Sequence, residues 1–303
     1  MKNKHLALGA VLLSGILWAT IGLFNTYFGD LGIVNTDLVT IRLSMGTVLL
    51  FAYLLIRNPK ALKIKIKDLW IFLGAGLTSI IMFQTCYMIA IRESGSYALA
   101  AVLLYTSPVF VMLFSTLFFK DKITPLKVIG AVLTVIGCAL ASGILQGTGT
   151  ITATVLIAGL LSGIGYAMYS IFARVALNRG YNAITVTAWS FLSALIPLLV
   201  IADYGTIYQG IASAGWSGVG MWLLLGIVTE ALPYALYTEG LTGMDTSKAA
   251  VTVAIEPIVA ILIGVACGQT MHWTAWIGTV TVIVSILLLN LPKIRFGKKT
   301  EKA

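Results

Sequence analysis

Ten runs of about twenty apolar residues divide this chain, and they constrain its fold more than any other feature of the sequence. A run of this length crosses the hydrocarbon core of a bilayer, about 30 Å thick, at a helical rise of about 1.5 Å per residue. Only 10% of the 303 residues are charged, against roughly 25% in an average soluble domain. We therefore predict an all-α membrane protein with ten transmembrane helices, at 6–28, 36–56, 68–91, 95–118, 125–145, 153–176, 182–202, 218–241, 246–267 and 273–291.

The first apolar run, from Leu6 to Phe28, is too long for the hydrophobic region of a signal peptide and is predicted to be the first span. The three cysteines all fall inside predicted spans, where a cysteine usually packs as a small residue. They predict neither a disulfide nor a thiolate metal site, and the sequence predicts no cofactor.

The distribution of lysine and arginine predicts how the spans are oriented. With ten spans, one side holds both termini and the loops 57–67, 119–127, 174–181 and 242–248, which together carry 18 of the 20 basic residues. Only Arg42 and Arg92 fall on the other side. Because cytoplasmic segments retain lysine and arginine, both termini are predicted to be cytoplasmic, in the cell inner (cytoplasmic) membrane. The net charge of +9 is then mainly a topology signal, and nucleic-acid binding is not expected.

The second half of the sequence weakly repeats the first at an offset of about 148 to 150 residues. Small-residue spacing in any helical membrane protein can produce such matches, but here several spans agree on nearly one offset. The matched residues are Ser14-Gly15-Ile16-Leu17-Trp18-Ala19 with Ser162-Gly163-Ile164-Gly165-Tyr166-Ala167, Gly130 with Gly278, Gln84 and Tyr87 with Tyr234 and Tyr237, and, one residue out of step, Pro108 with Pro257.

An odd number of spans in each half means that the second half enters the membrane from the opposite face. We therefore predict two inverted five-helix repeats, residues 1–146 and 147–292, followed by a basic cytoplasmic tail, 293–303. Inverted repeats favour a carrier, because two similar halves can exchange conformations around a site at mid-membrane.

Three stretches of the second half carry a family resemblance: Leu232-Pro233-Tyr234-Ala235-Leu236-Tyr237-Thr238-Glu239-Gly240-Leu241, Ser247-Lys248-Ala249-Ala250 and Ile255-Glu256-Pro257-Ile258-Val259-Ala260. They resemble the eighth and ninth helices of EamA-type carriers in the drug/metabolite transporter superfamily, and the resemblance extends over nearly the whole chain. It implies a central cavity lined mainly by helices 1, 3, 4, 6, 8 and 9. The Gly-Glu pair that is common in this family reads Lys120-Asp121 and Gly268-Gln269 here, so no role is carried over to that carboxylate.

Three glutamates lie inside predicted spans, where an ionised group costs about 2.5 to 3.5 kcal/mol unless it meets a polar cavity or partner. Glu230 shares a helical face with Tyr234 and Tyr237 at i+4 and i+7, which indicates a binding wall. Glu256 precedes Pro257 and either stabilises the packing of its helix or binds a proton or cation. Glu230 is the second candidate for binding a proton or cation. Glu239 is expected to be interfacial.

Aromatic and amide side chains complete the predicted site. Trp18 and Tyr166 correspond through the repeat, as do the matched positions of spans 3 and 8. The predicted substrate-binding residues are Trp18, Gln84, Tyr87, Tyr166, Glu230, Tyr234 and Tyr237. Aromatic faces beside a carboxyl group favour an amine-bearing ligand, an amino acid or an organic cation.

The function predicted from these features is secondary transport of a small metabolite by alternating access. Proton coupling, facilitated diffusion, import and export are all compatible with the sequence, and the oligomeric state is open. A channel or a receptor-like membrane protein is the alternative. An enzyme is not expected, because His5 and His272 lie at opposite faces and the sequence has no His-Glu-x-x-His and no Gly-x-Ser-x-Gly motif.

Overall fold

The computed structural model describes residues 3–147 and 149–290, a part of the chain that is helical and contains no β-strand. Nine helical segments there are long and apolar enough to cross a membrane, and a tenth apolar helix is shorter. The chain is therefore a multi-pass membrane protein. Segments 1 to 10 are Lys4–Asp30, Asn35–Arg57, Ile66–Ser94, Tyr97–Phe119, Pro125–Ala141, Ala153–Asn178, Ala183–Ile201, Tyr204–Leu241, Thr246–Ala266 and Trp273–Asn290.

Segments 5 and 8 differ most from the predicted spans. Segment 5 has 17 residues, the lower limit for a helix that spans a bilayer. Segment 8 begins at Tyr204, fourteen residues before the predicted start at 218, because the Asp203 carboxylate accepts hydrogen bonds from the backbone N–H groups of Gly205 and Thr206 and caps the helix. The chain then bends at Gly215, whose φ is 60°. The predicted basic tail, 293–303, lies outside the described residues.

The loops that carry most of the basic residues meet at one end of the bundle, which we call the basic end. There Lys127 pairs with Asp245, Arg179 pairs with Asp68, and Thr185 bonds the Ala61 carbonyl. The first and last described segments also reach this end, since Ala7 lies against Gly240 and the Leu289 carbonyl accepts from Lys248. Chain ends on one side require an even number of crossings. This supports the count of ten, which stays a prediction.

The repeat is visible in the structure, because the α-helices of segments 4 and 9, and those of segments 3 and 8, are interrupted in matching ways. Segments 4 and 9 are each divided shortly before a proline. The break at Tyr105–Thr106 ends two residues before Pro108, and the break at Val253–Ala254 ends three residues before Pro257. Proline lacks the N–H that would continue the helical ladder. Segments 3 and 8 each contain one π-helix, Leu77–Met82 and Gly226–Ala231.

Two glycines of the repeated motif have a common packing role. A Cβ on Gly15 would lie 2.9 Å from the Val253 carbonyl oxygen, and a Cβ on Gly163 would lie 3.0 Å from the Leu103 carbonyl oxygen. Segment 1 therefore packs against the break in segment 9, as segment 6 packs against the break in segment 4. Other helix contacts follow the same correspondence between the halves. Segment 1 contacts segment 8 as segment 6 contacts segment 3, and the equivalent segments 2 and 7, and 5 and 10, pack on each other.

Candidate functional site

An ion pair lies inside the bundle between segments 2 and 8. Arg42 Nε is 2.5 Å from Glu230 Oε1, and the two side chains are only 10% and 4% exposed. Glu230 belongs to the π-helix of segment 8, which packs along segment 2. Within the described part of the chain, no residue supplies a hydrogen-bond acceptor to the buried Arg42 Nε beyond this ion-pair contact.

Glu256 is a second carboxyl group at the centre of the bundle. It lies in the first turn of the helix Ile255–Ala266, directly after the break in segment 9. The positive end of that helix favours a negative charge there. Glu256 is half-buried, lies beside the Tyr166 hydroxyl group, and interacts electrostatically with Arg42.

Five aromatic rings from segments 1, 6, 7 and 8 pack together beside the ion pair, and we call them the aromatic cluster: Trp18, Tyr169, Phe191, Tyr234 and Tyr237. Trp18 donates from Nε1 to the Thr229 carbonyl over 3.1 Å, so it binds the π-helix that holds Glu230. Trp18 and Tyr237 are buried, whereas Tyr234 is half-buried. The cluster therefore fixes the position of the Tyr234 ring.

Segments 3 and 6 provide a smaller counterpart, in which Phe83 contacts Tyr87 and Tyr166 at centroid distances of 6.1 and 5.5 Å. All three residues are half-buried. Tyr166 interacts electrostatically with Glu256, Tyr234 and Tyr237, so the two aromatic groups border the same central region.

A groove of about 550 Å³ separates segments 2, 3 and 7. It extends from the π-helix of segment 3 to Arg92, Asn35 and Ile201, at the end of the bundle opposite the basic end. Gln84 lines this groove, while Tyr87, one turn further along, faces segment 6. In the middle of the bundle, by contrast, segment 8 packs on segment 7 through Phe191 and Tyr234, whose rings are 4.9 Å apart.

The basic end is closed by polar contacts between the two halves. Lys127 Nζ of segment 5 lies 2.7 Å from Asp245 Oδ2 in the loop after segment 8, and Arg179 pairs with Asp68. Arg174 donates to the Met244 carbonyl and to the Thr246 hydroxyl group, which holds that loop in place.

The structure brings most of the predicted binding residues together around the centre. Trp18, Tyr234 and Tyr237 share the aromatic cluster, Tyr87 and Tyr166 share its counterpart, and Gln84 faces the groove. Glu230 is paired with Arg42 instead of being open beside Tyr234. Sequence reasoning missed Arg42 and Phe83. The sequence does contain a signal for Arg42, since Arg42 is one of only two basic residues that fall on the side of the membrane opposite the basic loops.

Comparisons with known proteins agree on one family. The model described as "EamA-like transporter family" matches residues 5–143 and again 153–291. An uncharacterized transporter of Bacillus subtilis, YxxF, is 24% identical over 267 residues, covering 86% of this chain and 82% of the relative. An uncharacterized transporter of Archaeoglobus fulgidus is 25% identical over 289 residues, covering 92% and 94%. A crystal structure with 17% identity superposes with a TM-score of 0.76 over 93% of this chain and 95% of the other, which supports the fold.

Proposed function

Because the chain belongs to the EamA-like transporter family and is a membrane transport protein, we propose that it is a secondary transporter for a small amine-bearing metabolite. The substrate class is an amino acid or organic cation, and it crosses the cytoplasmic membrane by alternating access. The observation that carries this proposal is Glu256, a half-buried carboxyl group at the start of a half-helix in the middle of the bundle. Carriers commonly build their sites at such helix breaks.

Glu256 has the surroundings of a cation site. Residues from segments 3, 4 and 6 place phenol groups around it, namely Tyr87, Tyr105 and Tyr166, each of which interacts with it electrostatically. Arg42, Cys138 and Tyr234 are its other ionisable neighbours. An ammonium group there gains both a carboxylate partner and aromatic faces.

Glu230 has a different role from Glu256 in this proposal. Arg42 offsets the charge of Glu230, whereas no residue in the described part of the chain forms an ion pair with Glu256. A positive charge that arrives in the site therefore settles on Glu256, as the substrate's ammonium group or as a proton. Because the ammonium group and the proton compete for this one carboxyl group, binding of one requires release of the other, and this couples transport to protons.

The difference between the two ends of the bundle supports an outward-facing state. Its basic end is closed and, with the orientation predicted from lysine and arginine, faces the cytoplasm along with both termini. The groove opens at the other end. Opening the basic end requires the loss of the Lys127–Asp245 and Arg179–Asp68 contacts, and the proline breaks and π-helices are the positions where segments 3, 4, 8 and 9 can bend.

Replacing Asp245 by asparagine is expected to favour the state that is open at the basic end. A hydrogen bond between charged groups contributes about 1.5 to 3 kcal/mol, so its loss shifts the population by about 10- to 100-fold. In a background without cysteines, maleimide labelling of Ser247→Cys, a position two residues after Asp245 that is only 4% exposed in this closed state, should accelerate accordingly. Labelling of Met88→Cys in the groove should slow.

Glu93→Gln is the matched control for this experiment, since Glu93 forms an exposed pair with Arg92 at the other end of the bundle. We expect it to leave both labelling rates unchanged. Equal labelling of the Asp245→Asn variant and its parent at both positions would mean that the ion pair does not hold the basic end closed.

Counterflow in proteoliposomes tests the proposed function itself. Vesicles containing the purified protein, preloaded with an unlabelled amine-bearing solute such as phenylalanine or phenethylamine, are expected to accumulate the labelled form transiently and several times faster than unloaded vesicles. A carrier shows this trans-stimulation because its loaded site returns faster than its empty one. Uptake without trans-stimulation would indicate a channel, and no uptake of any amine would contradict the substrate class.

A further inference from the structure

We propose that the substrate carries a carboxylate as well as an ammonium group, and that Arg42 binds this carboxylate. The inference rests on the proposed amine transport and narrows its substrate class to zwitterions with an amino-acid-like head group. It also gives the Arg42–Glu230 pair a role in recognition.

Arg42 is a charged side chain with unused hydrogen-bonding capacity inside the bundle. The residue is 9% exposed and lies within segment 2, well away from either end of the helix. A guanidinium group has five N–H donors and cannot be deprotonated. Among the described residues its single close polar contact is Glu230 Oε1, and Nε makes no properly oriented hydrogen bond there.

This arrangement is costly for the empty protein. An arginine at the centre of a membrane helix costs about 2.5 to 3.5 kcal/mol on insertion scales. Glu230 offsets the charge, but Nε makes no properly oriented hydrogen bond to it, and the guanidinium group has further donors along its other edge. A carboxylate satisfies them best, because its two oxygens match the guanidinium fork in a bidentate pair.

The position of Arg42 fits a substrate that is already held by Glu256. The guanidinium group interacts electrostatically with both Glu256 and Tyr234, so a positive and a negative group border the same central region. An ammonium group on Glu256 places the neighbouring carboxylate of an amino acid toward Arg42. The half-buried Tyr166 and Tyr234 rings then border the substrate side chain.

Glu230 has a defined part in this scheme. It holds the guanidinium group in place and offsets its charge while the site is empty. It is a positioning residue, since it acts on the substrate through Arg42. A pair that only braced segment 2 against segment 8 would be indifferent to whether a ligand carries a carboxylate, and this is the difference that an experiment can measure.

The test compares ligands that differ only in the carboxylate. The full-length protein is purified in detergent, and its ligand affinities are measured by thermal shift for phenylalanine, leucine and lysine, each against its methyl ester and its decarboxylated amine. The free amino acid of at least one set is expected to bind at least tenfold more tightly than its ester and amine. In the double variant Arg42→Gln with Glu230→Gln, which removes both charges together, this ratio is expected to fall to about one.

The matched control is Arg92→Gln with Glu93→Gln, which removes an exposed ion pair outside the central region and should keep the wild-type ratio. Esters or amines that bind the wild type as tightly as the amino acids would overturn the role of Arg42, yet leave amine transport standing. A double variant that keeps the wild-type ratio would also overturn it. If neither amino acids nor amines bind, the proposed substrate class fails, and this inference fails with it.

Discussion

Replacing Glu230 by glutamine is expected to destabilise the folded protein by about 3 to 5 kcal/mol, the usual cost of removing one partner of a buried ion pair. Arg42 keeps its charge at any accessible pH, and its side chain is 90% buried. The substitution therefore leaves a buried positive charge without its nearest carboxylate. The measurement is thermal unfolding of the purified protein in detergent, followed by tryptophan fluorescence. The fraction that elutes as a single species in size-exclusion chromatography should fall in parallel.

Removing both charges should reverse most of this loss. Arg42→Gln with Glu230→Gln leaves two neutral side chains that can hydrogen-bond to each other, and replacing a whole buried pair is often close to neutral. Glu93→Gln provides the comparison with an exposed pair, where Arg92 is 87% exposed and the charged atoms are 3.6 Å apart. It should cost less than about 1 kcal/mol. Equal melting of Glu230→Gln and the wild type would mean that water already solvates Arg42.

Much of the fold follows from the sequence because its constraints are local. Hydrophobic length predicts the spans, and the two proline breaks follow from residues at known positions in segments 4 and 9. The weak repeat around Gly15 and Gly163 has a physical cause that the sequence alone does not reveal. Each glycine lies against a carbonyl oxygen at the break of another segment, so a larger residue at either position would separate the two helices.

The π-helix in segment 8 explains why the predicted stripe of Glu230, Tyr234 and Tyr237 is divided. The i+4 and i+7 spacing places these residues on one face only in a continuous α-helix. In the structure Glu230 lies in the π-helix and contacts segment 2, whereas Tyr237 lies in the α-helix Leu232–Leu241 and shares a 2.7 Å hydrogen bond with Ser170 of segment 6.

Arg42 illustrates what sequence reasoning cannot reach without packing. The count of basic residues assigns Arg42 to the outer side of the membrane and uses it only as evidence for the orientation of the spans. The predicted span 36–56 contains Arg42, but only the structure shows that its side chain lies beside Glu230. No local pattern connects these two residues, because they meet only when segments from different halves pack together. The same holds for Phe83 of segment 3, which contacts Tyr166 of segment 6.

The separate roles of the two central carboxyl groups lead to the prediction with the largest effect on transport. Replacing Glu256 by glutamine is expected to lower counterflow uptake of an amine-bearing substrate by about 10- to 100-fold, the equivalent of losing one charge-assisted hydrogen bond of about 1.5 to 3 kcal/mol. The variant should also lose any response of uptake to an imposed pH gradient, since glutamine cannot carry the exchanged proton. Initial rates in proteoliposomes measure both effects.

Glutamine keeps the shape of Glu256 and can still accept a hydrogen bond from the neighbouring Tyr166 hydroxyl group, so the melting temperature should change little. Glu256→Asp, which keeps the charge on a side chain one methylene shorter, should retain part of the uptake and the response to pH. Glu93→Gln should transport like the wild type. Wild-type uptake and pH response in the Glu256→Gln variant would place the cation site elsewhere. A loss of uptake and of the pH response in Glu256→Gln, at a melting temperature close to that of the wild type, would instead identify Glu256 as the carboxylate that exchanges its cation during transport.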